Sequence, residues 1–121
     1  MMDKKVTYKT FALEKQHDIA ILKVRERRIY MNVSDQFRDE VRKFLDQNFK
    51  KVIVDLSQVS VMNSTGIGVL IALQSAIEKD NGRLKLVGLQ PLMQDIFQRM
   101  RLEELFDIEE DMQKALQSLQ K

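Results

Sequence analysis

Strands alternating with amphipathic helices predict an α/β fold for this chain. Three observations carry that prediction. Val52, Ile53, Val54 and Leu56 make a nearly continuous, mostly β-branched run, as in a strand covered on both faces. Phe37, Val41, Phe44 and Leu45 fall at i, i+4, i+7 and i+8, one stripe of an amphipathic helix. One Pro and four Gly are the only strong punctuation in 121 residues, and no low-complexity linker or internal repeat divides them. Residues 1–121 therefore read as a single domain, long enough to bury one core.

The elements can be justified in order. Val6, Tyr8, Phe11 and Leu13 alternate loosely, as in an edge strand. A polar turn around Lys15 to Asp18 leads to Ile19, Ala20, Ile21, Leu22 and Val24, a more buried strand. Ser34 is a suitable N-cap for the first helix. After the strand at Val52 to Leu56, a helix runs from about Thr65 to Lys79 and ends at Asn81 and Gly82. Its Val69, Leu70, Leu73, Ala76 and Ile77 form one apolar arc, the natural core face. Arg83 to Leu89 is a further strand, built on Leu84, Leu86 and Val87. Pro91 suits the first turn of a third helix, expected to bury Leu92, Ile96, Phe97 and Met100. Leu102, Leu105, Phe106 and Ile108 form an apolar connector. Met112, Ala115, Leu116 and Leu119 then repeat at helical spacing, a last helix packed back on the body.

Composition narrows the function. Twenty Lys and Arg stand among eighteen Asp and Glu, for a net charge of +2. That balance argues against nucleic-acid binding, which needs basic groups concentrated on one face. The densest basic stretch, Lys23, Arg25, Arg27 and Arg28, is short and contains Glu26; it reads as a solvated turn or a rim for an acidic protein partner. No Cys is present, so disulfides and thiolate metal sites are out. Met1 to Thr10 are polar and charged, without the apolar core of a signal peptide. The longest mostly apolar run, Ile67 to Leu73, falls far short of the ~20 residues a bilayer requires, so the expected location is the cytoplasm.

The informative stretch runs from Val52 to Leu70. A buried strand ends, a short loop follows, and Ser64 and Thr65 stand directly before Gly66 at a helix start. A helix N-terminus leaves backbone N–H groups without partners and carries the positive end of the dipole. The two hydroxyls read as N-caps, and a phosphate attached there would also meet a favourable field. Ile67 and Ile71 fall off the core arc, on a flank shared with Gln74 and Glu78. Two readings of that flank stand: a docking patch beside the hydroxyls, or packing against the neighbouring helix.

Other chemistry finds little support. The first two glycines of G-x-G-x-x-G occur at Gly66 and Gly68, but the third position is Ile71. The acid expected ~20 residues further on is missing across Arg83 to Lys85. His17, the single histidine, sits in a polar turn far along the chain from Ser64 and Thr65. Without a second His or a Cys, neither a catalytic triad nor a metal site can be assembled, and no cofactor is implied. Glu103 and Glu104, and Glu109 to Asp111, lie near helix starts and suit the dipole there.

The stretch resembles the STAS family of anti-sigma-factor antagonists, with a strand reading V-x-D-L and a loop reading M-D-S-S-G-L-G. Here Asp55-Leu56 precede Met62-Asn63-Ser64-Thr65-Gly66-Ile67-Gly68. Leu86-Val87-Gly88-Leu89-Gln90-Pro91 resembles the family's strand-to-helix junction, and Leu102-Glu103-Glu104-Leu105-Phe106 its tail pattern L-x-x-L-F. The resemblance covers nearly the whole chain. It implies a mixed β-sheet backed by about four helices, and a cytoplasmic, non-enzymatic domain that docks on an anti-sigma-factor or serine/threonine-kinase-like partner. It implies phosphorylation of the hydroxyl residue before the loop glycine, which is Thr65, with Ser64 as the alternative. With the flank of Ile67 and Ile71 read as a docking patch, the expected partner surface comprises Met62, Asn63, Ser64, Thr65, Gly66, Ile67, Gly68 and Ile71. Two departures stand out: Asn63 occupies the place of the loop acid, and Arg27-Arg28-Ile29-Tyr30 that of G-x-L-D. Alternative roles are an accessory subunit of a transporter or signalling scaffold, and a small-ligand or nucleotide sensor using the Thr65 to Gly68 loop.

Overall fold

Ile19, Ala20, Ile21 and Leu22 are consecutive and all buried, which only a strand with cover on both faces allows. The computed structural model, which describes residues 6–120, supplies that cover. The first half contains β1 (Val6–Thr7), β2 (Phe11–Gln16), β3 (Ile19–Val24), β4 (Arg28–Ile29), α1 (Asn32–Leu45), β5 (Lys51–Asp55) and β6 (Val61–Met62). The second half contains α2 (Ser64–Lys79), β7 (Arg83–Val87), α3 (Pro91–Arg99), a 3-10 turn at Leu102–Glu104, β8 (Asp107–Glu109) and α4 (Met112–Leu119). Residues 1–5 of the polar N-terminal segment lie outside the described residues.

Six strands form one sheet in the order β1-β2-β3-β5-β7-β8. The β1–β2 and β2–β3 pairs are antiparallel and the rest parallel, so the sheet is mixed as expected. Successive side chains alternate between its faces. Phe11, Leu22, Val54 and Leu86 meet Phe37, Phe44, Leu70, Leu73, Met93 and Phe97 from α1, α2 and α3. On the other face Ile19, Ile21, Ile53 and Val87 meet Ala115 and Leu119 of α4. Beside that smaller core Lys85 is buried, with its ammonium 2.5 Å from Asp107 and 3.3 Å from Glu109, the pairing a buried charge requires.

Several expectations are corrected. The α1 helix begins at Asn32, ahead of Ser34; Ser34 is buried inside the first turn and its hydroxyl donates to the Met31 carbonyl. Of the residues assigned to the core around α3, Leu92, Met100 and Leu105 are exposed, while Met93 and Phe97 are fully buried. Leu92 precedes Met93 by one residue and so projects about 100° away from it round the helix, and Met100 follows the last helical residue, Arg99. The apolar connector contains a strand, β8, paired in parallel with β7; Leu86↔Ile108 is one register pair. At the end of α2, Asn81 takes a left-handed conformation and the Gly82 N–H donates to the Ile77 carbonyl at 2.8 Å, closing the helix. Among the described residues no helix is long and apolar enough to cross a membrane.

Candidate functional site

The loop between β5 and α2 is strapped to the chain before α1. The Ser60 N–H donates to the Arg27 carbonyl at 2.7 Å and the Asn63 N–H to the Ile29 carbonyl at 2.8 Å. Between these two bonds β4 and β6 pair in parallel, Arg28 with Val61 and Ile29 with Met62. Asp55, at the end of β5, turns the chain by accepting from the Ser57 N–H at 2.9 Å. The start of α2 is thus fixed from two sides.

Asn63 is the N-cap of α2: it is extended, and its Oδ1 accepts from the Gly66 N–H at 2.9 Å. This corrects the assignment of the cap to Ser64 and Thr65, which are the first two residues of the helix itself. Asn is among the strongest N-cap residues, and its place directly before the hydroxyl pair was the available signal. Both hydroxyl residues are exposed, and neither side chain forms a hydrogen bond among the described residues. Relieved of capping, these hydroxyls stand free at the positive end of a sixteen-residue helix.

The eight residues of the expected partner surface divide by depth. Ser64, Thr65 and Gly68 are exposed, and Asn63 and Ile71 are half-buried. Met62, Gly66 and Ile67 are buried beneath them. Gly66 has no room for a Cβ, which would run into the Met62 side chain and approach Ile29 Cγ2 to 3.0 Å. Ile67 therefore is not part of an exposed patch; it belongs to the main core, and Ile71 packs partly against the same core. The reading of this flank as helix packing is the one the geometry supports for Ile67.

Two cavities flank the site. One of about 540 Å³ lies on the β4–β6 side and is lined by Arg28, Ile29, Tyr30, Met62, Asn63 and Leu92 among others. Tyr30 and Leu92 of this lining are exposed, as is Met31 next along the chain, apolar surface that helical periodicity alone did not reveal. The other, about 220 Å³, lies between α1 and α2 and is lined by Thr65, Gly68, Arg38 and Arg42 among others.

Residues considered for other chemistry lie elsewhere. His17 is in the β2–β3 hairpin, and the register Ile19↔Lys51, Lys23↔Asp55 puts that hairpin at the end of the sheet opposite Asp55 and the α2 start. In the cluster Glu109 to Asp111, Asp111 caps α4 by accepting from the Lys114 N–H, Glu110 pairs with Lys114, and Glu109 with Lys85. Among the described residues no group of three or more His, Cys, Asp or Glu side chains could hold a metal ion.

The chain belongs to the STAS domain family, whose model matches residues 10–115. An anti-sigma factor antagonist from Mycobacterium paratuberculosis is 19% identical, with a TM-score of 0.82 over 93% of this chain and 94% of that one. The Bacillus cell fate determinant SpoIIAA in its phosphorylated form is 20% identical, with a TM-score of 0.67 over 89% of this chain and 97% of that one. The murine Solute Carrier 26 family member A9 anion transporter is 21% identical, with a TM-score of 0.72 over 85% of this chain but only 18% of its own length. At these identities the likeness is one of fold.

Proposed function

We propose that the chain is a cytoplasmic, non-catalytic regulatory domain of the anti-sigma-factor-antagonist kind, docking on an anti-sigma-factor or kinase-like partner and switched at Thr65. The observation that carries the reading is the state of the Thr65 hydroxyl, which is exposed, unbonded and freed by Asn63 from capping its own helix. Asn63, Ser64, Thr65, Gly68 and Ile71 form the contact rim, and Met62, Gly66 and Ile67 hold it from beneath. In the switch step the partner transfers the γ-phosphoryl of ATP to Thr65 Oγ1. The bond to ADP breaks, a phosphoester bond forms, and the hydroxyl proton passes to a base of the partner. The product carries about −1.5 to −2 charges in the middle of the contact rim. Desolvating that charge against a surface made for a neutral hydroxyl costs free energy, so the complex separates. The phosphorylated Bacillus neighbour supports a modification of this kind on this fold.

The transporter neighbour favours a second reading, that of an accessory domain of a membrane transport protein. Capturing the tagged chain's partners from its native cell and identifying them by mass spectrometry separates the two. An ATP-binding kinase-like protein supports the switch, and a transporter subunit with no kinase contradicts it.

A further inference from the structure

The cavity between α1 and α2 is lined by two arginines of α1 and by Thr65 of α2. Arg38 and Arg42 stand one turn apart on α1, and Thr65 and Gly68 face them from the first turns of α2, over an apolar floor that includes Val41 and Val69. A Cβ at Gly68 would have no neighbour within 4 Å, so the space beside Thr65 is open. Arg42 has no ion-pair partner among the described residues. Arg38 Nη1 donates to the exposed Asp35 carboxylate at 3.3 Å, and its Nε stands 3.5 Å from the exposed Asp39 carboxylate. Its Nε is shut off from solvent and donates no aligned hydrogen bond, although the Asp39 oxygen is near. The side chain as a whole is over a third exposed, and ion pairs as exposed as these contribute little, so Arg38 is only weakly held where it stands.

We propose that a phosphate on Thr65 is held within the same chain, by Arg38 and Arg42 across this cavity. The inference rests on the reading of Thr65 as the phosphorylated residue. A phosphate brings three strong acceptor oxygens, and the planar guanidinium fork matches them better than it matches two distant carboxylates. The phosphate draws Arg38 from its weak pairs with Asp35 and Asp39, gives Arg42 an anionic partner, and ties α1 to α2. The modified state is thereby a second, closed form of the α1–α2 surface as well as a more negative one. Arg38, Arg42 and the open space beside Thr65 are then no longer offered to a partner.

The test uses the full chain with phosphothreonine genetically encoded at position 65, so no kinase is needed. The ³¹P NMR titration of that phosphate reads its surroundings, because a neighbouring cation favours the dianion and lowers the second pKa from its ordinary value of about 6. Among the described residues, the charged side chains lining the cavity are Arg38 and Arg42, with Asp35 and Asp39 paired to Arg38. Replacing both arginines (Arg38→Gln with Arg42→Gln) should raise that pKa by about half a unit or more, a threefold or larger change in proton affinity. Lys79→Gln with Arg99→Gln removes the same charge far from the cavity and should leave it unchanged. Arg42→Gln alone, a change at an exposed residue, should give part of the shift even if the double variant folds poorly. The same titration in all the chains, or an equal shift in the Lys79 and Arg99 variant, overturns the proposal. Failure of a cellular kinase to modify Thr65 overturns instead the reading on which it rests, and the titration stands apart from that result.

Discussion

Asn63 Nδ2 donates to Ser34 Oγ at 3.3 Å, joining the cap of α2 to the buried first turn of α1. The same Asn63 accepts from the Gly66 N–H through Oδ1, and the Ser34 hydroxyl donates to the Met31 carbonyl. A carboxylate at position 63 could accept but not donate, so an Asp there competes with Met31 for the Ser34 proton. The amide in place of the family acid thus has a structural use: it bridges the starts of two helices without adding charge beside Thr65.

Asn63→Ala should cost about 0.5–2 kcal/mol for the lost cap, measured by denaturant unfolding. Asn63→Asp keeps the cap and gains a favourable interaction with the helix dipole, so it should be less destabilising than Ala. Equal losses for Ala and Asp would mean that the bond to Ser34, and not the cap, carries the effect.

The two glycines of the loop should respond oppositely to a methyl group. Gly66→Ala drives a Cβ into buried Met62 and should destabilise by about 1–3 kcal/mol. Gly68→Ala meets open space inside a helix and should stabilise by roughly 0.5–1 kcal/mol. Thermal melts of the pair check this, and a shift of the same sign in both contradicts the packing described.

Leu73 is fully buried against the sheet, so Leu73→Ala should cost about 2–5 kcal/mol. Ile67→Lys puts a charge in the same core and should largely unfold the chain, whereas Ile71→Lys should fold with a smaller loss and a weaker partner interaction. An Ile67→Lys protein that melts like the parent would place Ile67 on the surface.

Asp18 is fully exposed, and the hydrogen bond from Lys51 holds its carboxyl below the usual range. A carboxylate lowered in this way contributes stability above its unfolded pKa and loses that contribution as pH falls through the folded value. Lys114, raised chiefly by its bond to Glu110, contributes below its unfolded pKa and loses the contribution as pH rises through the folded value. Neither pair therefore bends the stability curve near neutrality. Lys51→Met should return the Asp18 titration, followed by NMR, to the ordinary carboxylate range; an unmoved titration contradicts the assigned cause.

The fold was readable where patterns were long. The β-branched run at Val52–Val54 and the arc of Val69, Leu70, Leu73 and Ile77 lie where periodicity put them. Elements of two or three residues, β4, β6 and β8, are too short to show a period and emerge only from their partners. In α3, both Leu92 and Met93 are apolar, and only the approach of the sheet selects Met93 for burial. At the site, the motif placed Thr65 at a helix start, but not the division of labour with Asn63. That division depends on the extended backbone of Asn63, and any of the three residues has a side chain able to cap. Arg38 could not be connected with Thr65 from the sequence, since only the packing of α1 on α2 brings them to one cavity.

The most direct test of the switch is to incubate the chain with its isolated partner and ATP, then map phosphate by mass spectrometry while following the complex. The account predicts phosphate on Thr65 and dissociation of the modified chain, with Thr65→Ala remaining bound under the same conditions. Phosphate on Ser64 alone, or a complex that persists with Thr65 fully phosphorylated, would contradict it.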